Sequence, residues 1–201
     1  MLLASNLEHF APKLPEVFGA RLKEMSVLCI PTAAYAQDNR DWLEPQIAPL
    51  RDQAGDYREI DLAELSEHDL EQAMKGWDII YVTGGNTYYL LEQAVRTGFA
   101  QSLAGHFARG GVYVGVSAGS VLTCPSIEYI KDMDDPDKAS LDNYTGLNLV
   151  DCYILPNIDD AQDGPEALKC VEEFSELQKG TIIGLREDQG LWVDGCTVRI
   201  Y

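Results

Sequence analysis

Short apolar runs alternate with amphipathic stretches along most of the chain. The apolar runs predict β-strands, and they lie at 26–31, 57–62, 78–82, 112–116, 152–155, 181–185, 191–193 and 198–201. Apolar residues at helical spacing predict helices between them, at 41–50, 66–74, 87–97, 99–109 and 165–179. Residues 1–6 are expected to form a first strand and turn, and the aspartate-rich segment 132–143 a loop. This order predicts an α/β fold of three layers, in which helices cover both faces of a mostly parallel central sheet. The strands 181–185 and 191–193 are expected to close this sheet, with 198–201 at its edge.

The length and composition fit one globular domain. The chain has 201 residues, of which 46% are hydrophobic and 24% charged, and these values are ordinary for a globular protein with a sizeable core. We therefore expect a single domain over residues 1–201.

The chain is strongly acidic, with 33 Asp and Glu against 15 Lys and Arg and a formal net charge of -18. Such a charge repels a phosphate backbone, and no Lys/Arg cluster offsets it, so nucleic acid is excluded as a partner. An acidic surface favours solubility, and it also attracts cationic ligands.

The cysteine pattern predicts reduced, buried thiols. There are five cysteines, an odd number without CxxC spacing, and no signal peptide precedes the predicted fold. No apolar stretch reaches the roughly 20 residues that a membrane span needs. These features predict a cytoplasmic protein that does not associate with a membrane.

The segment 115–119 reads GVSAG and lies between a predicted buried strand and a helix. G-x-S-x-G in this context is a nucleophile elbow, in which a sharp turn exposes the serine hydroxyl above the sheet. The alternative is a glycine-rich turn that only connects strand and helix. The context favours Ser117 as a nucleophile.

A second glycine turn, TGGN at 83–86, follows the strand 78–82. Parallel strands end at the same edge of a sheet, so both turns are expected to face one cleft. The N–H groups of Gly85 and Ala118 are then candidates for an oxyanion hole. A phosphate-binding loop or a plain turn is the alternative, although the usual nucleotide-binding spacings are absent.

These motifs resemble those of the peptidase E (aspartyl dipeptidase) family of serine peptidases. The resemblance rests on YVTGGNTYYLL at 81–91, GVSAGS at 115–120, CPSI at 124–127 and YTGLNLVD at 144–151, and it extends from about residue 26 to residue 193. It implies a flavodoxin-like fold of the class I glutamine amidotransferase-like type. It also implies hydrolysis of short peptides without a metal or an organic cofactor.

The resemblance also implies roles for individual residues. Ser117 is the expected nucleophile, and Gly85 and Ala118 are expected to supply the oxyanion-hole N–H groups. The triad acid of the family falls in KDMD at 131–134, where Asp132 matches best and Asp134 is the alternative. Either aspartate could equally be a solvated loop carboxylate.

The chain departs from the family at the triad histidine, because Asn157 occupies that position in LPNI at 155–158. An amide cannot accept a proton from a serine hydroxyl near neutral pH. The three histidines, His9, His68 and His106, are expected to be surface or capping residues. A buried carboxylate with a raised pKa is a better substitute base, and the candidates are Asp159, Asp160, Glu187 and Asp188.

Two functions remain open at this stage. One is a serine peptidase, and the other is a catalytically impaired homologue that binds a small ligand or a protein. No arginine follows Asn157 until Arg186, so a preference for acidic substrates lacks its cation, and neutral or basic peptides are favoured. The sequence does not fix the oligomeric state, and a homodimer remains open.

Overall fold

A seven-stranded sheet forms the centre of the computed structural model, which describes residues 1–161, 163–177 and 180–201. In chain order the strands are β1 (Leu2–Ala4), β2 (Ser26–Ile30), β3 (Asp56–Glu59), β4 (Ile79–Val82), β5 (Val112–Val116), β6 (Tyr153–Leu155), β7 (Ile182–Gly184), β8 (Gly190–Asp194) and β9 (Thr197–Ile200). The central sheet has the order β3, β2, β4, β5, β1, β8, β9. Its first five strands are parallel, and β8 and β9 extend it in antiparallel fashion.

Helices cover both faces of this sheet. In chain order they are α1 (Leu7–Phe10), α2 (Leu14–Phe18), α3 (Thr32–Tyr35), α4 (Leu43–Arg51), α5 (Glu67–Ala73), α6 (Thr87–Arg96), α7 (Phe99–Ala108), α8 (Ala118–Val121) and α9 (Gly164–Leu177). Short 3-10 turns lie at Ala11–Lys13, Gly19–Glu24, Leu62–Glu64, Glu128–Ile130 and Pro136–Lys138. The predicted three-layer α/β fold is therefore confirmed.

The parallel strands are buried on both faces, which explains their continuous apolar sequences. In β4, Ile80 and Val82 belong to one core cluster, whereas Ile79 and Tyr81 belong to the other. Helices α1, α2 and α4 pack on the second face, and α5 to α9 supply residues to the first. Alternation of side chains across the sheet thus divides the core into two layers.

Two predicted strands lie outside the central sheet, which corrects the expectation that 181–185 helps to close it. β6 and β7 pair with each other in a separate two-stranded parallel sheet. Periodicity identifies a strand but not its partner, so this arrangement was not predictable from the pattern.

Other boundaries differ modestly from those predicted. The strand expected at 57–62 ends at Glu59, because Asp61 caps the 3-10 turn that follows it. Helix α8 is a single turn. The predicted helix over 165–179 begins at Gly164, and its expected end, Lys179, lies outside the described residues. All five cysteines are free, and Cys196 is exposed rather than buried.

The topology gathers three chain segments at one edge. Strand β5 lies between β4 and β1, and these three strands are parallel. The residues that follow their carboxyl ends, Ser5, Thr83 and Ser117, therefore lie next to one another. Within the described part of the chain, no helix has the length and apolar character that crossing a membrane requires.

Candidate active site

A cavity of about 460 Å³ opens at this edge of the sheet. Its walls come from the turns after β1, β4 and β5, from the segments after β6 and β7, from α4 and the segment before it, and from the loop at 130–134. Four residues of the two glycine-containing turns line it, namely Gly84, Gly85, Ser117 and Ala118. The two glycine-containing turns thus face one cleft, as their positions after neighbouring parallel strands predict.

Ser117 lies at a strained bend between β5 and α8. Its backbone has φ 49° and ψ -112°, a combination that non-glycine residues rarely adopt. The bend is held by a hydrogen bond of 3.0 Å from Ser117 N–H to Ala4 O. Among the described residues, the Ser117 hydroxyl has no hydrogen-bond partner.

The glycines around Ser117 are required by close backbone approach. A Cβ atom at Gly115 would lie 2.5 Å from Gly119 O, and one at Gly119 would lie 2.3 Å from Val82 O. Either contact is too short for a real side chain. The G-x-S-x-G spacing is therefore a packing requirement of this bend.

The turn at Gly84 and Gly85 passes directly beside Ser117. A Cβ atom at Gly84 would lie 3.1 Å from Ser117 Cβ. Gly85 has φ 131°, and a Cβ atom there would lie 2.2 Å from the Ala33 carbonyl carbon. Asn86 then caps α6 by accepting the Tyr89 N–H at 2.8 Å.

Two backbone N–H groups are left for a ligand at this site. Ala118 is the first residue of α8, so its N–H has no partner within the helix. Among the described residues, neither the Gly85 nor the Ala118 N–H donates to a protein acceptor. Both residues line the cavity, so these N–H groups are available to a carbonyl oxygen or an anion.

Asn157 also lines the cavity, but its polar atoms are already paired. Asn157 Oδ1 accepts a hydrogen bond from Ser5 Oγ at 2.8 Å, and the backbone N–H of Asn157 donates to Ser5 Oγ at 2.7 Å. Its Nδ2 donates to Asp163 Oδ2 at 3.1 Å. The backbone at Asn157 has φ 58°, a left-handed conformation that asparagine tolerates.

The structure separates the two candidate triad acids. Asp134 lines the cavity, and its Oδ2 accepts the Thr87 N–H at 2.8 Å. Burial raises the pKa of Asp134, although the hydrogen bonds from Thr87 oppose this. Asp132 lies outside the cavity and forms an ion pair of 2.7 Å with Lys169, whose hydrogen bond lowers the pKa of Asp132.

The carboxylates considered as substitute bases are also separated. Glu187 and Asp160 line the cavity, whereas Asp159 and Asp188 do not. Glu187 Oε1 lies 3.3 Å from Asn6 Nδ2 and 3.2 Å from His9 Nδ1. Asp188 is paired with Lys13 at 3.1 Å, and Asp159 accepts the Glu187 N–H at 2.9 Å.

None of the three histidines lines the cavity. His9 and His68 are exposed, as expected. His106 is fully buried, which corrects the prediction of a surface or capping residue, and its Nε2 lies 3.0 Å from Val112 O. Burial lowers the pKa of His106. Because Val112 begins β5 and Ser117 follows its end, His106 lies at the opposite edge of the sheet.

Several cavity residues were not predicted from the sequence, among them Ser5, Trp42 and Asp163. Ser5 follows the first strand directly, which is a positional signal once β1 is known to adjoin β5. Asp163 immediately precedes α9, where aspartate is a common N-terminal residue. No signal in the sequence distinguishes Trp42 from an ordinary surface tryptophan. Among the described residues, no group of His, Cys, Asp and Glu side chains forms a metal-binding cluster.

Comparisons with known proteins identify the family of this chain. A sequence model of peptidase family S51 matches residues 1–201. The chain belongs to peptidase family S51. An uncharacterized peptidase of Listeria monocytogenes is 33% identical to this S51 member over 199 residues, which are 98% of this chain and 96% of the relative. Peptidase E of Shigella flexneri is 32% identical over 192 residues, 93% of this chain and 79% of that protein.

Solved structures give the same assignment for the S51 fold. A candidate peptidase E protein from Listeria monocytogenes superposes with a TM-score of 0.91 at 32% identity, covering 100% of this chain and 96% of the other. A peptidase from an acI-B1 actinobacterium is 20% identical with a TM-score of 0.68, covering 100% of this chain and 86% of the other, and supports the fold alone. The predicted family and fold class are confirmed, and peptidase function is supported at the level of the family.

Proposed function

We propose that this protein hydrolyses short peptides by a serine-type mechanism in which Ser117 is the nucleophile. The observation that carries the proposal is the strained bend at Ser117. It leaves a hydroxyl in the cavity beside two backbone N–H groups, and none of the three has a hydrogen-bond partner in the part of the chain that the structure describes. A backbone in this conformation is costly and persists where the surrounding structure requires it. The glycine contacts at positions 115 and 119 supply that requirement.

The chemistry follows from the arrangement. Ser117 Oγ forms a bond to the carbonyl carbon of the substrate and loses its proton to a base. The carbonyl oxygen becomes negatively charged and accepts hydrogen bonds from Gly85 N–H and Ala118 N–H. Collapse of this intermediate breaks the C–N bond, and the amine departs with the proton. Water then hydrolyses the acyl-enzyme and frees the serine.

The base in this scheme is a carboxylate, because no imidazole lines the cavity among the described residues. Asn157 cannot accept the proton, since an amide is not basic near neutral pH. Asp134 fits best, because its raised pKa makes it a stronger base than an exposed aspartate. Glu187 is the second candidate, although its carboxylate already contacts Asn6 and His9.

The contacts of Asn157 favour a second function, that of a catalytically impaired homologue that binds peptides or a protein partner. Both ends of its side-chain amide are engaged by Ser5 and Asp163. An enzyme without a triad member retains a rate about 10³–10⁴-fold over water through its oxyanion hole and binding. The two functions therefore predict measurably different rates in the same cavity.

Labelling with a fluorophosphonate tests the proposal. We expect covalent labelling of the wild-type protein at Ser117 and hydrolysis of at least one member of a dipeptide panel. Ser117→Ala is expected to abolish both, whereas the control Ser102→Ala on α7 is expected to leave both unchanged. A wild-type protein that is folded and binds dipeptides, but is neither labelled nor active, would establish the impaired homologue instead.

A further inference from the structure

The cavity that contains Ser117 is lined by carboxylates. Its acidic lining residues are Asp134, Asp160, Asp163 and Glu187. No Lys, Arg or His stands among the described residues that line it. A peptide bound there would lie in a strongly negative potential, because a cavity with low-dielectric walls concentrates the field of its charges.

The partners of Asp134, Asp163 and Glu187 are mostly neutral. Asp134 accepts a backbone N–H from Thr87 at 2.8 Å, and Asp163 accepts an amide N–H from Asn157 at 3.1 Å. Glu187 contacts His9, which is charged only when it is protonated. Hydrogen bonds of this kind satisfy the oxygen atoms but do not cancel the charge.

The lysines near the cavity are engaged elsewhere. Lys13 pairs with Asp188 at 3.1 Å, and Lys169 pairs with Asp132 at 2.7 Å. Within the described part of the chain, no Lys or Arg forms an ion pair with Asp134, Asp163 or Glu187. The negative charge of Asp134, Asp163 and Glu187 is therefore left for a ligand to neutralise.

A tryptophan in the same wall offers an independent contact for a cation. Trp42 lines the cavity beside Gly84, where its Cζ3 would lie 3.8 Å from an added Cβ atom. Its Nε1 donates to Asn39 O at 3.1 Å. The face of an indole attracts ammonium and guanidinium groups more strongly than other aromatic rings do.

We propose that this cavity selects short peptides that carry a lysine or arginine side chain in addition to their free α-ammonium group. A single α-ammonium neutralises only part of the charge on the wall, so a second cation adds attraction. An aspartyl or glutamyl side chain meets like charge at the same wall. The inference rests on the proposed function in taking a peptide as the ligand of the Ser117 cavity.

Binding to Ser117→Ala protein tests the selectivity without requiring turnover. Lys-Ala, norleucyl-Ala and Asp-Ala are titrated by calorimetry, because norleucine matches lysine in length and lacks its charge. We expect Lys-Ala to bind at least about tenfold more tightly than norleucyl-Ala at low salt, and Asp-Ala to bind most weakly. The difference between Lys-Ala and norleucyl-Ala is expected to shrink at about 0.5 M NaCl, because salt screens charge interactions.

Three substitutions locate the effect. Glu187→Gln and Asp163→Asn are each expected to reduce the lysine preference severalfold. Glu71→Gln removes the same charge from the exposed surface of α5, where it pairs with Lys75, and is expected to leave the preference unchanged. An equal loss in all three variants would mean that net charge, rather than the cavity wall, attracts the peptide, and would overturn the inference.

Other results would also refute it. Norleucyl-Ala or Asp-Ala binding as tightly as Lys-Ala, or no binding of Lys-Ala at millimolar concentration, would end the argument. These outcomes are distinct from failure of the proposed function, which shows as a wild-type protein that is not labelled at Ser117. If the protein binds Lys-Ala selectively but is not labelled at Ser117, the proposed hydrolase function is wrong and the inferred selectivity is that of a binding protein.

Discussion

Replacing Asn157 by histidine is expected to convert the cavity into a much more active hydrolase. The backbone at position 157 has φ 58°, and histidine, like asparagine, is enriched in that conformation. Asn157 Nδ2 lies 3.1 Å from Asp163 Oδ2, so an imidazole N–H in its place has a carboxylate to orient it. The other ring nitrogen is then free to accept the Ser117 proton, as in a serine triad.

The size of the gain follows from general base catalysis. A positioned base contributes typically about 10²–10⁴-fold to the rate. We expect the lower end of this range, about 100-fold in kcat/KM or about 2.7 kcal/mol in activation free energy. The reason is that the surroundings of position 157 fit an amide side chain rather than an imidazole. The substitution also removes the oxygen that accepts from buried Ser5 Oγ, and the lost hydrogen bond is expected to cost about 1 kcal/mol of stability.

The assay is steady-state hydrolysis of a dipeptide by four proteins: the wild type, Asn157→His, Asn157→His with Ser117→Ala, and Asn157→His with Asp163→Asn. The gain is expected to require Ser117 and to fall by most of its size without the Asp163 carboxylate. Its pH profile is expected to rise through a pKa near the ordinary histidine value of about 6.5, because only the neutral imidazole accepts a proton.

The reasoning is wrong if Asn157→His is folded, is labelled at Ser117 and hydrolyses the dipeptide no faster than the wild type. The base of the wild-type protein would then act from another position. A gain that survives Ser117→Ala would refute the assignment of the nucleophile itself.

Three further predictions concern the glycine turn and the buried acid. Gly85→Ala is expected to lower the free energy of unfolding by about 3 kcal/mol or more, measured by thermal denaturation, because its Cβ would lie 2.2 Å from the Ala33 backbone. Gly84→Ala makes its shortest contact with Ser117 Cβ, at 3.1 Å, so we expect near-normal stability and a kcat reduced about tenfold or more. Burial raises the pKa of Asp134 above its unfolded value, so its favourable contribution is present at acid pH and is lost as pH rises through the folded pKa. Asp134→Asn is therefore expected to raise the Tm at pH 7 and not at about pH 3 while lowering activity, and a lower Tm at both pH values would contradict this.

Much of the site follows from the sequence because it depends on local rules. The bend at Ser117 requires glycines where its backbone passes within contact of β4 and α8, and such requirements leave a fixed spacing in the sequence. The turn at Gly84 and Gly85 is placed beside it because consecutive parallel strands end at one edge of a sheet. Predicting these features required only the assignment of the strands and their directions.

The remaining features depend on contacts between segments that are far apart in the chain. Ser5 meets Asn157 across 152 positions, and Trp42 reaches the wall from the segment before α4. The hydrophobic periodicity of the sequence does not indicate which loops contact one another. The separate pairing of β6 and β7 was missed for the same reason, since a strand pattern does not specify its neighbour.

The two candidate acids Asp132 and Asp134 show why counting carboxylates in a sequence is insufficient. Asp132 and Asp134 are two positions apart in the same loop, yet Lys169 on α9 neutralises Asp132 outside the cavity, and Asp134 is buried against α6 without a lysine or arginine partner among the described residues. In a chain with 33 acidic residues, most carboxylates are exposed or paired, and the reactive ones are those whose charge is left uncompensated. Tertiary structure decides which these are. Moving the lysine from α9 to the cavity wall, with every residue of the motifs unchanged, is therefore expected to lower the activity of the site.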